Sequence, residues 1–227
     1  MMNNKIAVIF YGAPGSGKTT QAKLLADKLN IFHFDTGDFL RKIIYDPKLA
    51  NNKEIQKERK LNEAGKLNVT SWVLGVVKKE TERIANLNQS IVYSGSPRTM
   101  YESFSDNKHE GLFHFLETLY GKNNIKIFVV DIPEKESIKR NSHRLVCSVC
   151  KTPLLNPNLK ECPICGGKIE YRKDDSKEVI VNRLKEYHTE TEPIFSELKK
   201  QKYNVIKING TPAPYKVHQT ILNYFKK

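Results

Sequence analysis

The chain has 227 residues, of which 39% are hydrophobic, and a formal net charge of +13. This length favours one domain with a single core and small insertions over two large domains. No run of about 18 apolar residues is present, so the sequence excludes a membrane-spanning helix. The positive charge favours polyanionic ligands, either nucleic acid or small polyphosphates, although it can also serve solubility alone.

The first residues, MMNNKIAVIFYGAPG, hold a short apolar stretch that leads directly into a glycine-rich loop. They lack the basic flank and the small-residue cleavage site of a secretory signal. We therefore expect a cytoplasmic protein without a membrane partner.

Short apolar runs alternate with helical patterns along most of the chain. The predicted strands cover residues 5–11, 31–35, 90–94, 125–131 and 203–208, and a helix is predicted over 18–29. This alternation predicts an α/β fold with a parallel sheet and helices on both faces. Ligands of such sheets bind beyond the carboxyl ends of the strands.

Two segments depart from the alternation. Residues 36–70 are mainly polar and helical in pattern, with no predicted strand. Residues 143–175 hold all four cysteines together with several prolines and glycines. We expect a small insertion with its own covalent or metal staple in this second segment.

A phosphate-binding loop follows the first predicted strand. Its sequence, GAPGSGKT from Gly12 to Thr19, matches the pattern G-x-x-x-x-G-K-[ST]. The glycines let successive N–H groups point at phosphate oxygens, Lys18 would reach the β and γ phosphates, and the Thr19 hydroxyl would face Mg²⁺. The strand–loop–helix context argues against an accidental glycine-rich turn. The loop alone does not separate kinases from ATPases, GTPases or transporters.

The cysteines form two C-x-x-C units, Cys147 with Cys150 and Cys162 with Cys165. Four thiolates in such pairs suit tetrahedral zinc, although iron can occupy the same kind of site. Disulfides are disfavoured in the cytosol. Because all four ligands would come from protein, the metal would hold the segment together and would not catalyse.

Several further motifs carry a family resemblance. They are DTGDFLR from Asp35, GSPRT from Gly95, YRKDD from Tyr171 with the following NRL from Asn182, and YHTETEP from Tyr187. Together with the phosphate loop, and in the same order, they resemble the motifs of adenylate kinases of the long, zinc-lid form.

The resemblance implies a P-loop NTPase fold with a parallel five-stranded sheet flanked by helices. It places the core at residues 1–35, 71–142 and 176–227, a helical monophosphate-binding insertion at 36–70, and a small zinc-binding lid at 143–175. It also implies a monomer that catalyses reversible, in-line phosphoryl transfer from MgATP to AMP, giving two ADP. A nucleic-acid partner is not expected, since the cysteine segment lacks the interleaved aromatics of a base-stacking surface.

The resemblance also implies the site residues, and arginines suit this chemistry because they stay ionised and bind phosphate in bidentate fashion. Catalytic roles are implied for Lys18, Arg98, Arg140, Arg144, Arg172 and Arg183. Contacts to ATP are implied for Gly12, Ala13, Pro14, Gly15, Ser16, Gly17, Lys18, Thr19, Thr20, Arg140 and Arg144. Contacts to AMP are implied for Thr36, Gly37, Arg41, Val69, Gly95, Arg98, Glu102, Arg172 and Arg183. The magnesium shell would include Thr19 and Asp38.

The sequence departs from the family pattern at four positions. Ser94 stands where the family usually has an aspartate that supports hydrated magnesium, and Ser96 replaces a phenylalanine. Glu102 replaces a glutamine that reads adenine, and Asn68 is an extra residue before Val69. An ionised Glu102 only accepts hydrogen bonds and would suit GMP, whereas Thr36 matches the AMP enzymes. Alternative functions are therefore a kinase for GMP or CMP, or a P-loop protein that binds nucleotide without turnover.

Overall fold

The computed structural model describes residues 5–64, 66–142, 144–150, 152–154, 156, 158–171 and 176–226. The strands are β1 Ala7–Tyr11, β2 Phe32–Asp35, β3 Ile91–Ser94, β4 Ile125–Asp131, β5 Leu145–Cys147, β6 Pro153–Leu154, β7 Ile169–Tyr171 and β8 Val205–Asn209. The helices are α1 Lys18–Leu29, α2 Thr36–Ile44, α3 Lys53–Glu63, α4 Thr70–Asn86, α5 Met100–Ser103, α6 Leu112–Tyr120, α7 Glu134–Ser142, α8 Lys177–Glu186, α9 Glu192–Lys200 and α10 Pro214–Leu222. A π-helical turn, Tyr187–Thr191, joins α8 to α9, and 3₁₀ turns cover Pro47–Leu49, Lys122–Asn124 and Asn223–Phe225.

A parallel five-stranded sheet forms the centre of the molecule. Its strand order is β2-β3-β1-β4-β8, and every pairing is parallel. The prediction of a five-stranded parallel sheet flanked by helices is confirmed. Since β1 is central, the phosphate loop that follows it lies in the middle of the carboxyl edge.

Both faces of the sheet are buried, which explains the near-continuous apolar runs of its strands. In β1 the side chains of Ala7, Ile9 and Tyr11 join one core cluster, and those of Val8 and Phe10 join the other. The first cluster includes residues of α4, α6 and α9, and the second includes residues of α1 and α10. Each face is therefore covered by helices, as an α/β layer requires.

The prediction for the last strand began too early. The N–H of Tyr203 donates to the carbonyl of Leu198 at 2.9 Å, and Lys202 has a φ of 60°. Residues 202 and 203 therefore belong to the turn that ends α9. The Tyr203 ring packs against Phe113, with 5.1 Å between ring centroids. Tyr203 is therefore buried through this contact with Phe113, and it is not part of β8.

The described part of residues 36–70 holds α2, a 3₁₀ turn, α3 and the first residue of α4, with no strand, as the sequence predicts. Asp35 begins α2 by accepting the Asp38 N–H, and Asn52 begins α3 by accepting the N–H groups of Glu54 and Ile55. The cysteine segment contains a small antiparallel sheet in the order β6-β5-β7. The division of the chain into core, monophosphate-binding insertion and lid stays a prediction. Among the described residues, no helix combines the length and apolar character needed to cross a membrane.

Candidate active site and metal centre

The phosphate loop depends on glycine at positions with left-handed backbone. Gly12 has a φ of 148°, and a Cβ there would lie 2.4 Å from the carbonyl oxygen of Val130. Gly17 has a φ of 92° and immediately precedes α1. Because α1 begins at Lys18, the unpaired N–H groups of its first turn face the loop and favour an anion there.

Helix α7 braces this loop from the side. The Ser137 hydroxyl donates to the Pro14 carbonyl at 2.6 Å, and a Cβ on Gly15 would lie 2.6 Å from Nδ2 of Asn141. Both α7 residues are fully buried. Arg140, on the same helix, donates to the carbonyls of Gly210 and Thr211 at 3.0 Å each. It also pairs with Glu136 at 2.7 Å. The structure thus assigns Arg140 a bracing role between α7 and the segment after β8, and its contact with phosphate stays a prediction.

Lys18 lies in a strongly positive environment. Burial, followed by the charges of Arg98, Arg144 and Arg183, lowers its pKa to about 7. The carboxylate of Asp35 opposes this shift. Three of the predicted phosphate-binding arginines are therefore close enough to act on the ammonium group. A ligand with several negative charges would relieve this repulsion.

A second group of predicted site residues lies beside the phosphate loop, at the ends of β2 and β3. A Cβ on Gly95 would lie 3.2 Å from Nη2 of Arg98, 3.7 Å from Cβ of Thr36 and 3.8 Å from N of Gly37. The hydroxyl of Thr36 is buried and has no hydrogen-bond partner among the described residues. Four of the predicted AMP-binding residues are thus brought together around an unsatisfied polar atom.

Arg98 is fixed by contacts from three segments. Its Nε donates to the Gly95 carbonyl at 2.6 Å, and its N–H donates to Oε2 of Glu102 at 2.8 Å. The Thr191 hydroxyl, in the π-helical turn, donates to the Arg98 carbonyl at 2.9 Å. The π turn therefore brings the YHTETEP motif onto the GSPRT motif, in keeping with the frequent use of such turns at functional sites.

The remaining predicted residues are less tightly constrained. Arg41 lies 3.9 Å from the carboxylate of Asp38, which also pairs with Lys42 at 2.8 Å. The Asp38 carboxylate remains about half exposed, and Thr19 is exposed at the start of α1. These are oxygen donors of the kind that Mg²⁺ prefers. Thr20 is partly buried, Val69 immediately precedes α4, and Arg172 lies outside the described residues.

Glu102 is almost fully buried, at 4% exposure. Burial raises its pKa to about 7, against the hydrogen bond from the Arg98 N–H and the Arg98 charge. With Leu74, Val77, Ser96 and Pro97 it borders a small void beside the Gly95–Arg98 segment. Near pH 7 this side chain is therefore partly a neutral carboxylic acid, which can donate as well as accept a hydrogen bond.

Sequence reasoning missed the partner of Ser94. The imidazole Nε2 of His33 lies 2.8 Å from the Ser94 hydroxyl, across two neighbouring strands. Burial lowers the pKa of His33, so the ring is mainly neutral at pH 7. The alternation of side chains along β2 places His33 on the same face as Asp35, which is the signal that the sequence offered.

The four cysteines converge in the cysteine segment. Their sulfur atoms all lie within 4.8 Å of one another, with 3.4 Å between Cys147 and Cys165 and 3.7 Å between Cys150 and Cys162. A tetrahedral zinc with bonds of about 2.3 Å would place its sulfurs roughly 3.8 Å apart. A Cβ on Gly167 would lie 2.8 Å from Sγ of Cys147, so the glycine leaves room for the cluster. The set fits one closed four-sulfur metal site.

The fold and the phosphate loop together define the class: a P-loop nucleotide-binding protein with arginines gathered at the loop. A sequence model of the family described as adenylate kinase matches residues 10–203. An adenylate kinase of Methanothrix thermoacetophila is 33% identical over 192 residues, covering 82% of this chain and 83% of the relative. One from Clostridium tetani is 31% identical over 222 residues, covering 95% and 96%, and one from Chlamydia trachomatis serovar D is 29% identical, covering 98% and 91%. The chain belongs to the adenylate kinase family.

The environment of Lys18 predicts proton uptake on nucleotide binding. With a pKa of about 7, roughly nine-tenths of Lys18 is neutral at pH 8 in the free protein. Phosphate charges would raise this pKa again, so a non-hydrolysable MgATP analogue should bind with uptake of nearly one proton at pH 8 and fewer at pH 6. Calorimetry in two buffers of different ionisation enthalpy measures this number. Lys18→Met should abolish the uptake, while Lys23→Met, an exposed position on the same helix, should keep it. Equal uptake by Lys18→Met would contradict the assignment.

Proposed function

We propose that this protein transfers the terminal phosphoryl group of MgATP to AMP, reversibly and in line, giving two ADP. The observation that carries the proposal is the meeting of two pockets at one edge of the sheet. The phosphate loop forms the first, and Thr36, Gly37, Gly95 and Arg98 form the second. The charge of Arg98 acts on Lys18, so the two pockets share one electrostatic field.

Phosphoryl transfer needs positioning and charge neutralisation more than covalent catalysis by the protein. Lys18 would neutralise the β and γ phosphates, and Thr19 with Asp38 would hold the hydrated magnesium that arrives with ATP. Arg98 and Arg41 would bind the acceptor phosphate. Arg144 and Arg183, together with Arg140 and Arg172, would surround the transferring group. Support comes from the position of Arg98, Arg144 and Arg183 around Lys18.

We propose that residues 143–175 act as a lid and that zinc holds them together. Closure over the phosphates would exclude water and so favour transfer over hydrolysis. The closed set of four thiolates supports a structural ion over a catalytic one. We further expect a cytoplasmic monomer with no nucleic-acid or membrane partner.

AMP is favoured as acceptor by the burial of Glu102. A carboxylate in this place would be mismatched against adenine, which offers an acceptor at N1 and a donor at N6. The neutral acid matches both atoms, as an amide would, because its hydroxyl donates and its carbonyl accepts. Its raised pKa, about 7, makes this form accessible at physiological pH.

Transfer itself is the first test. The zinc-replete protein is incubated with MgATP and AMP, dAMP, GMP, CMP or UMP, and the nucleotides are separated. We expect ADP from AMP to exceed the product from every other acceptor. Lys18→Ala should reduce the rate by at least about a hundredfold, since it removes charge stabilisation at the transferring group. Preference for another monophosphate would contradict the assignment of AMP as the acceptor. ATP binding without transfer would contradict the assignment of kinase activity.

Glu102 predicts a pH-dependent choice of acceptor. The acid form is lost as the pH rises through about 7, so the KM for AMP should rise between pH 7 and 8.5, by up to about tenfold per unit. The use of GMP should improve over the same range, because an ionised carboxylate accepts from the two guanine donors. Glu102→Gln should flatten the AMP profile, and Glu197→Gln, on the surface of α9, should leave it unchanged. A profile that rises equally in Glu102→Gln would contradict this role.

The metal centre predicts about one zinc per chain on elemental analysis. Cys162→Ser should lose most of the metal and lower the melting temperature, because Cys162 is buried and would supply one of the four proposed sulfur ligands. Val149→Ser changes an exposed residue within the first C-x-x-C unit and should retain the metal. Iron in place of zinc would change the identity of the ion only. Full metal content in Cys162→Ser would contradict the four-cysteine site.

A further inference from the structure

A buried carboxylate joins α3 to the start of α4. Glu58 is 1% exposed, and its Oε2 accepts hydrogen bonds from N of Val69 at 3.0 Å and from Nδ2 of Asn68 at 2.8 Å. The same amide donates to the Glu58 carbonyl at 2.9 Å. Asn68 is itself 9% exposed. We call these three hydrogen bonds the Glu58 clasp.

The clasp makes, from another helix, the hydrogen bond that the N3 carboxylate of a capping box makes to the N–H of the residue before a helix. The residue before α4 is Val69, whose side chain cannot accept a hydrogen bond, and no side-chain cap is made within the helix. Oε2 of Glu58 accepts from the N–H of Val69 itself, and the N–H groups of the first turn of α4 receive no side-chain cap from the described residues. The negative charge of Glu58 also lies near the positive N-terminal end of α4. The inserted Asn68 contributes a second donor, and a buried carboxylate needs such donors.

Helix α4 packs close to Glu102, which we propose reads the acceptor base. Leu74 and Val77, in its first turns, border the same small void as Ser96, Pro97 and Glu102. Both α4 residues are buried. A shift at the start of α4 would therefore move these two residues relative to Glu102.

The turn before α4 is also tied to the core. The Leu67 N–H donates to Oε1 of Glu186, at the end of α8, at 3.4 Å. Arg183, one turn earlier on α8, is among the charges that act on Lys18. The hydrogen bonds of the clasp, at 2.8 to 3.0 Å, are shorter than the one from Leu67 to Glu186.

We propose that Glu58 is a positioning residue for the acceptor nucleotide, acting through Asn68 and Val69 on the start of α4. This inference rests on the proposed function in that it takes a nucleoside monophosphate as the acceptor. The clasp lies on the acceptor side and has no described contact with the phosphate loop. Its loss should therefore weaken AMP binding and leave ATP binding nearly intact.

The experiment compares Glu58→Ala, Asn68→Ala and the control Asn52→Ala. Asn52 caps the same helix α3 through Glu54 and Ile55 but does not touch the turn before α4. We expect Glu58→Ala to raise the KM for AMP about tenfold, with a smaller rise in Asn68→Ala. The KM for ATP should stay within about twofold in both variants. Asn52→Ala should lower the melting temperature without changing the KM for AMP.

A double variant tests the hydrogen bonds themselves. In Asn68→Asp the new carboxylate faces both Oε2 and the main-chain carbonyl of Glu58, and adding Glu58→Gln removes the first of these two repulsions. The pair should bind AMP better than Asn68→Asp alone, which sets two carboxylates against each other. If Glu58→Ala does not fold, Asn68→Ala and this comparison decide the proposal.

Calorimetric titration with AMP separates this inference from the proposed function. If the wild-type protein transfers nothing yet binds AMP, the dissociation constants of the same variants still test the clasp. If it prefers another monophosphate, that acceptor replaces AMP in both measurements. An unchanged acceptor affinity in Glu58→Ala would overturn the proposal, as would an equal loss in Asn52→Ala.

Discussion

The tight backbone path of Gly12 to Gly17 is the constraint on which the rest of the site depends. The loop is confined by the Val130 carbonyl on β4 and by Ser137 and Asn141 on α7. No side chain fits at Gly12, where a Cβ would lie 2.4 Å from that carbonyl. Because β1 lies between β3 and β4, the acceptor pocket and the braced segment after β8 come to opposite sides of this one loop.

The confinement of the loop brings several positive side chains together, and an anionic ligand would reduce their repulsion. Three arginines and a lysine share one region, and burial together with the charges of these arginines lowers the pKa of Lys18 to about 7. Asp35 offsets part of this charge, while its own carboxylate also begins α2 by accepting the Asp38 N–H. Such an arrangement is unfavourable for the free protein and favourable for a polyphosphate complex. The site is therefore organised around charge that the substrate brings.

The sequence predicted those features that local pattern alone determines. The spacing and hydrophobic period predicted a strand–loop–helix unit over 5–29, and the structure confirms it with a strand that begins at Ala7. The spacing of Cys147, Cys150, Cys162 and Cys165 predicted that the four sulfurs converge, which they do. The features that the sequence could not predict depend on contacts between segments that are distant along the chain. The partners of Ser94 and Arg140, and the protonation of Glu102, follow from tertiary packing. Tyr203 was misplaced because its hydrophobicity serves a helix-ending turn.

Three of the four departures from the family pattern have a compensating contact or environment, whereas the buried hydroxyl of Ser96 has no hydrogen-bond partner among the described residues. His33 reaches the Ser94 hydroxyl where a carboxylate is usual, burial makes the acid form of Glu102 accessible, and Glu58 satisfies the inserted Asn68. The phosphate loop, in contrast, matches its pattern without a substitution. The phosphate loop depends on a backbone geometry that tolerates almost no substitution at its glycines. The acceptor pocket depends more on side-chain hydrogen bonds, such as those of Arg98 with Gly95 and Glu102, and such bonds can be rebuilt with other residues.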